Sequence, residues 1–151
     1  MQENERIKTS IGLAERALAF SSAEPFTPAE IRSFPLEEDF KTAFTEARIE
    51  KGISDSACYN AAALDRKLYW NIFHKAGYKP KKRTAIALIL TLRPTIEMMD
   101  DLLKRLGYCL THSDRFDVAI EGCVAKKIFD VQVVNEFLYA SGLPLLGSYA
   151  D

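Results

Sequence analysis

The sequence predicts an all-α protein, and two observations carry that reading. Apolar residues recur at i, i+3, i+4 and i+7 along nearly the whole chain, and no alternating run of β-branched residues is long enough to make a sheet. The 151 residues suffice for one core; 48% are hydrophobic and 27% charged, the balance of a folded globular chain rather than a disordered one. The longest uninterrupted apolar run, residues 85–90, is far short of the roughly 20 residues a membrane-spanning helix needs, so no membrane partner is expected. No secretory pattern opens the sequence. The three cysteines, Cys58, Cys109 and Cys123, are odd in number and irregularly spaced, which points to reduced thiols and a cytoplasmic location.

The elements follow in order. Ile7, Ile11, Ala14 and Leu18 share one face of a first helix, and residues 21–28 read as a linker. Thr27-Pro28-Ala29-Glu30 combines an N-cap hydroxyl, a proline at the first helical position and a glutamate that closes a capping box. After Pro35, Ser33 is expected to cap a helix with Phe40, Ala43, Phe44 and Ala47 inward, ended by Gly52. Ser54 caps a two-turn helix burying Cys58, Ala61 and Ala62. Asp65 caps the next, which runs to about Ala76 with Tyr69 and Ile72 inward and Arg66, Lys67, Trp70 and Asn71 on other faces.

A loop around Pro80 then leads into an apolar helix over 84–92. Thr95 caps a helix with Met99, Leu102, Leu103 and Leu106 inward, closed by Gly107. Two more helices span 114–127, with Phe116, Ala119, Ile120 and Cys123 on one face, and 131–140, with Asp130 as cap and Val134, Phe137 and Leu138 inward. Leu143-Pro144-Leu145-Leu146-Gly147 cannot continue a helix and is expected to cross the bundle as an extended tail.

Charge is distributed unevenly. Residues 65–83 carry seven basic groups and one acidic, whereas 1–64 carry seven and eleven, and 84–151 six and nine. Such a cationic stretch in a near-neutral chain suits a polyanion. A short helix, a tight turn and a second helix opening on basic and amide side chains is what reading a major groove requires, and residues 54–74 supply it. Arg66 and Lys67 fall in the first turn, and Asn71 lies one turn after Lys67. These are the candidate base readers, since arginine or lysine suits guanine and asparagine suits adenine. Lys75, Lys79, Lys81, Lys82 and Arg83 are the candidate phosphate contacts.

Gly52-Ile53-Ser54-Asp55-Ser56 and Ala62-Ala63-Leu64-Asp65-Arg66-Lys67-Leu68-Tyr69-Trp70-Asn71-Ile72 resemble the lambda-repressor-like (Cro/C1-type) helix-turn-helix family. The resemblance implies a helix-turn-helix bundle with additional N- and C-terminal helices. It divides the chain into a helical arm and linker at 1–33, a DNA-binding domain at 34–110, and a C-terminal helical extension at 111–151 packed on the same core. It places base reading on Arg66, Lys67 and Asn71 and burial on Tyr69 and Ile72. It implies a repressor that binds double-stranded DNA as a homodimer. Ala63 stands where the family favours glycine, and a positive φ there would store strain.

The longer run from Phe34 to Gly147 is similar to a helical module of bacterial multidomain and defence-associated proteins. Its marks are Asp65-Arg66-Lys67-Leu68, Lys82-Arg83-Thr84-Ala85-Ile86-Ala87-Leu88, Leu106-Gly107-Tyr108, Ser113-Asp114-Arg115-Phe116-Asp117 and Pro144-Leu145-Leu146-Gly147. That setting implies an alternative: an interaction module that binds an effector protein in a phage-defence or toxin–antitoxin-like system, through Tyr69, Trp70 and Leu145.

Other chemistry finds little support in the residues. Cys109, His112 and Cys123 make only three metal ligands without paired spacing, so no metal is expected. Asp100-Asp101 and Glu37-Glu38-Asp39 read as helix-surface acids and caps. With no glycine-rich phosphate loop, nucleophile elbow or paired metal motif, neither an enzyme nor a cofactor is expected.

Overall fold

Thr27 and Glu30 close the expected capping box at the start of the computed structural model, which describes residues 27–147: the Thr27 hydroxyl accepts from the Glu30 N–H at 3.3 Å, and Glu30 Oε2 accepts from the Thr27 N–H at 2.9 Å. The first predicted helix, through Ile7 and Leu18, lies outside the described residues. The chain divides into two compact units, residues 1–37 and 38–151. Within the described part of the first, α1 (Pro28–Ser33) makes a turn and a half. Ser33 bonds back to the Glu30 carbonyl as the last residue of α1, and Phe34, ahead of Pro35, is extended. Ser33 therefore does not cap the following helix, contrary to expectation.

The second unit holds α2 (Phe40–Glu50), α3 (Asp55–Ala61), α4 (Arg66–His74), α5 (Lys82–Leu90), α6 (Ile96–Lys104), α7 (Arg115–Ala125) and α8 (Val131–Ala140). Among the described residues there is no strand, and the fold is all-α. Asp39, not Ser33, caps α2 by accepting from the Thr42 N–H at 2.9 Å. Ser54, Asp65, Thr95 and Asp130 cap α3, α4, α6 and α8 as the sequence predicts, and Asp114 caps α7.

The Thr42 backbone and side chain hold the Asp39 carboxyl below its ordinary value of 3.8. Because the folded value is the lower one, the stability Asp39 confers is present above about pH 4 and is lost as pH falls through the folded value. Asp39→Asn keeps the cap without the charge. Its urea midpoint is therefore expected to fall less steeply than the wild-type midpoint between about pH 5 and pH 2.

α5 is the centre of the second unit. Every residue from Thr84 to Leu90 is buried, so this helix has no solvent face beyond its first turn. Around it one continuous core gathers Phe40 and Phe44 of α2, Ile72 of α4, Met99 and Leu103 of α6, Ile120 of α7 and Leu138 of α8. α5 begins at Lys82 and α4 stops at His74, two residues ahead of their predicted start and stop. On α8 the inward stripe is Val131, Val134 and Leu138; Phe137 lies beside it and is 53% exposed, not inward. Ala61 is likewise exposed, because Cys58 and Ala62, four apart, take the buried stripe of α3.

Helix ends repeat one device. After α3 the Leu64 N–H donates to the Tyr59 carbonyl at 2.9 Å and the Ala63 N–H to Asn60 at 3.1 Å, with Ala63 left-handed at φ 56. Gly52, Gly107 and Gly142 fill the same place after α2, α6 and α8, and Lys127 fills it after α7 at φ 58. An L side chain in this region carries about 1 kcal/mol of strain. The exposed Lys127→Gly substitution is expected to raise unfolding free energy by up to about 1 kcal/mol, read from urea denaturation.

The tail crosses this unit as predicted. Leu146 is buried; its N–H donates to Asn135 Oδ1 at 2.7 Å and its carbonyl accepts from Asn135 Nδ2 at 3.2 Å. A Cβ on Gly147 would meet the Ala63 carbonyl at 2.8 Å, so the tail lies directly against the turn between α3 and α4.

Candidate nucleic-acid interface

α4 is positioned by what its inner face buries. Tyr69 and Ile72 are buried, and a row of rings continues from Tyr59 through Tyr69, Phe73 and Phe44 to Phe40 at centroid spacings of 5.5, 4.7, 5.3 and 5.5 Å. The Tyr69 hydroxyl donates to Asp55 Oδ1 at 2.6 Å, and Arg48 Nη2 lies 3.3 Å from the same oxygen. One carboxylate at the start of α3 thereby ties α4 to α2. Burial first, and then the Asp55 carboxylate, push the Tyr69 hydroxyl far up, so it stays a neutral donor. At 3% exposure Tyr69 presents no surface to a partner, which removes it from the expected interface.

The outer face of α4 is cationic. Arg66 and Lys67 are exposed, and among the described residues no acidic side chain pairs with either. Asn71, the third expected reader, is half-buried at the margin of this face. Trp70 is 57% exposed, and its ring stacks on His74 with centroids 3.8 Å apart and planes at 30°. Asp65, Arg66, Lys67 and Trp70 border an open hollow of about 450 Å³.

The expected phosphate contacts separate into two groups. Lys75, Lys79 and Lys81 are exposed along the segment that follows α4. That segment is anchored: Lys41 Nζ donates to the Lys75 carbonyl at 3.0 Å, the Tyr108 hydroxyl donates to the Pro80 carbonyl at 2.9 Å, and Lys79 Nζ lies 4.7 Å from the Tyr108 ring centroid. Lys82 and Arg83 turn inward instead. Lys82 Nζ sits 2.8 and 2.9 Å from the two oxygens of Asp117, and Arg83 Nη1 donates to the Leu145 carbonyl at 3.3 Å. Leu145 is half-buried against the core.

Asp117, not among the expected site residues, is 1% exposed and also accepts from the Thr111 N–H at 2.9 Å and hydroxyl at 3.3 Å. Its signal was there: it falls within the buried stripe of α7, beside Phe116 and three residues before Ile120. A buried acid requires a cationic partner, and Lys82 supplies it.

Cys58 and Cys123 are buried and Cys109 is exposed, all three free, and burial pushes the Cys58 and Cys123 thiols up. Among the described residues no cluster of three metal-ligating side chains occurs, and no helix is long and apolar enough to cross a membrane. Comparison with protein-family models, with curated proteins and with solved structures finds no match to this chain.

Proposed function

We propose that this chain is a sequence-specific DNA-binding regulator, built on a lambda-repressor-like helix-turn-helix, that lays α4 in the major groove of duplex DNA. The observation that carries this reading is the division of α4 into a locked inner face and an exposed cationic outer one. Tyr69 and Ile72 hold the helix, leaving Arg66 and Lys67 in its first turn clear of acidic partners among the described residues. In this reading Arg66 and Lys67 read guanine edges, Asn71 reaches adenine from the margin, and Lys75, Lys79 and Lys81 hold phosphates. Occupancy of an operator blocks transcription sterically. A second copy places another α4 about one helical turn away, roughly 34 Å, and exposed Val118, Phe137 and Tyr139 on α7 and α8 supply apolar surface for pairing.

Fluorescence anisotropy of the purified chain on duplex DNA over a salt series tests the reading. Log affinity is expected to fall with log salt at about 0.9 per neutralised phosphate, giving a slope near 3 if the three exposed lysines each neutralise one. Absence of duplex binding at low salt contradicts it. A second reading, an effector protein docked on α4, is favoured by the exposed Trp70, since tryptophan anchors protein interfaces. A stoichiometric partner that co-purifies with the wild type and is lost from Trp70→Ala distinguishes it.

A further inference from the structure

Trp70 lies outside the hydrophobic core. The inward side of α4 is filled by Tyr69, Ile72 and Phe73, whereas Trp70 stands outside it, 57% exposed, one turn after Arg66 and one turn before His74. The stack on His74 at 3.8 Å supports the ring from the C-terminal side. The hollow of about 450 Å³ opens toward Asp65, Arg66 and Lys67, on the N-terminal side. A large apolar ring is thus held ready in the middle of a cationic reading face. Bracing matters, because a side chain already confined loses little conformational freedom on binding.

The surroundings define what meets that ring. Arg66 and Lys67 select a polyanion, and in duplex DNA the major-groove edges carry hydrogen-bond donors and acceptors together with one apolar group, the C5-methyl of thymine. We propose that Trp70 is a specificity-determining residue that reads the thymine methyl group, an inference that rests on the duplex-binding reading above. Burying one such methyl against an apolar surface strengthens binding about fourfold. A 5-methylcytosine presents the same methyl and meets the same ring.

Trp70 is the single tryptophan of the chain, so its emission reports on the surroundings of that ring. The test uses two pairs of duplexes about two helical turns long. One is an A·T duplex against the same duplex with uracil for thymine; the other is a G·C duplex with and without 5-methylcytosine. A single-stranded thymidine oligonucleotide completes the set. The wild type is expected to bind the methylated member of each pair about fourfold more tightly per methyl contacted, with a change in Trp70 emission, while Trp70→Ala binds both members equally. Equal binding of both members by the wild type, or a methyl preference that survives in Trp70→Ala, overturns the proposal and leaves duplex reading intact. An emission change with the single strand alone also overturns it, by assigning the ring to the faces of unpaired bases. If no duplex binds at low salt, the duplex-binding reading itself fails, and the thymine assignment with it.

Discussion

Asp117→Ala is expected to lose about 1–3 kcal/mol of folding stability, a sizeable part of the roughly 5–15 kcal/mol available to a domain of this size. The carboxylate is 1% exposed and serves two elements at once. It neutralises Lys82 at the start of α5 and accepts both the N–H and the hydroxyl of Thr111 in the segment before α7. Removing it leaves a half-buried ammonium and a half-buried amide without their acceptor. Asp117→Asn retains an acceptor for Thr111 and is expected to lose less. The double replacement Lys82→Met, Asp117→Asn removes both charges, keeps an acceptor for Thr111, and is expected to recover most of the stability. Urea unfolding reads all three, and a loss below about 1 kcal/mol in Asp117→Ala contradicts the account.

Arg66→Ala and Lys67→Ala are each expected to weaken binding to the preferred duplex by about 1–3 kcal/mol while leaving the unfolding midpoint nearly unchanged. Both side chains are exposed and, among the described residues, unpaired with acids, so the fold does not depend on them. Their loss relaxes discrimination between sequences. Lys79→Ala with Lys81→Ala behaves differently: it weakens binding to all duplexes alike and lowers the salt slope by about 2. Lys82→Ala behaves differently again. It destabilises the fold through Asp117 and leaves the salt slope where it was, which separates it from the lysines it neighbours in sequence.

This division marks the limit of what the residues alone convey. Caps are local chemistry, and Thr27, Ser54, Asp65, Thr95 and Asp130 were legible because each side chain reaches an N–H two or three residues away. The two faces of α4 were legible for the same reason, since the spacing of Tyr69 and Ile72 fixes where Arg66 and Lys67 point. Lys82 was not. Whether it reaches solvent or the interior is decided by an acid 35 residues later, and spacing within α5 carries no trace of that. Phe137 was misplaced because a hydrophobic residue one position before Leu138 shares its helical region but not its inward direction. Asp39 took the cap expected of Ser33 because Pro35 forces the preceding residue out of helical conformation and α2 starts only at Phe40.

Ala63 joins sequence to site most directly. Its φ of 56 is the conformation for which glycine is the default, and the turn adopts it with alanine in place. The tail held by Asn135 and Arg83 presses Gly147 against that same turn. The turn between α3 and α4 is thus held from both sides, by its own backbone bonds and by the tail.

Base reading by α4 is tested by comparing wild type with Arg66→Ala. Both are titrated by anisotropy at one salt concentration against a duplex selected by the wild type from a random pool and against a scrambled version of it. Wild type is expected to separate the two duplexes by at least tenfold and Arg66→Ala to separate them by far less, with its fold intact. Undiminished discrimination by Arg66→Ala, or failure of the wild type to enrich any duplex, contradicts base reading by α4.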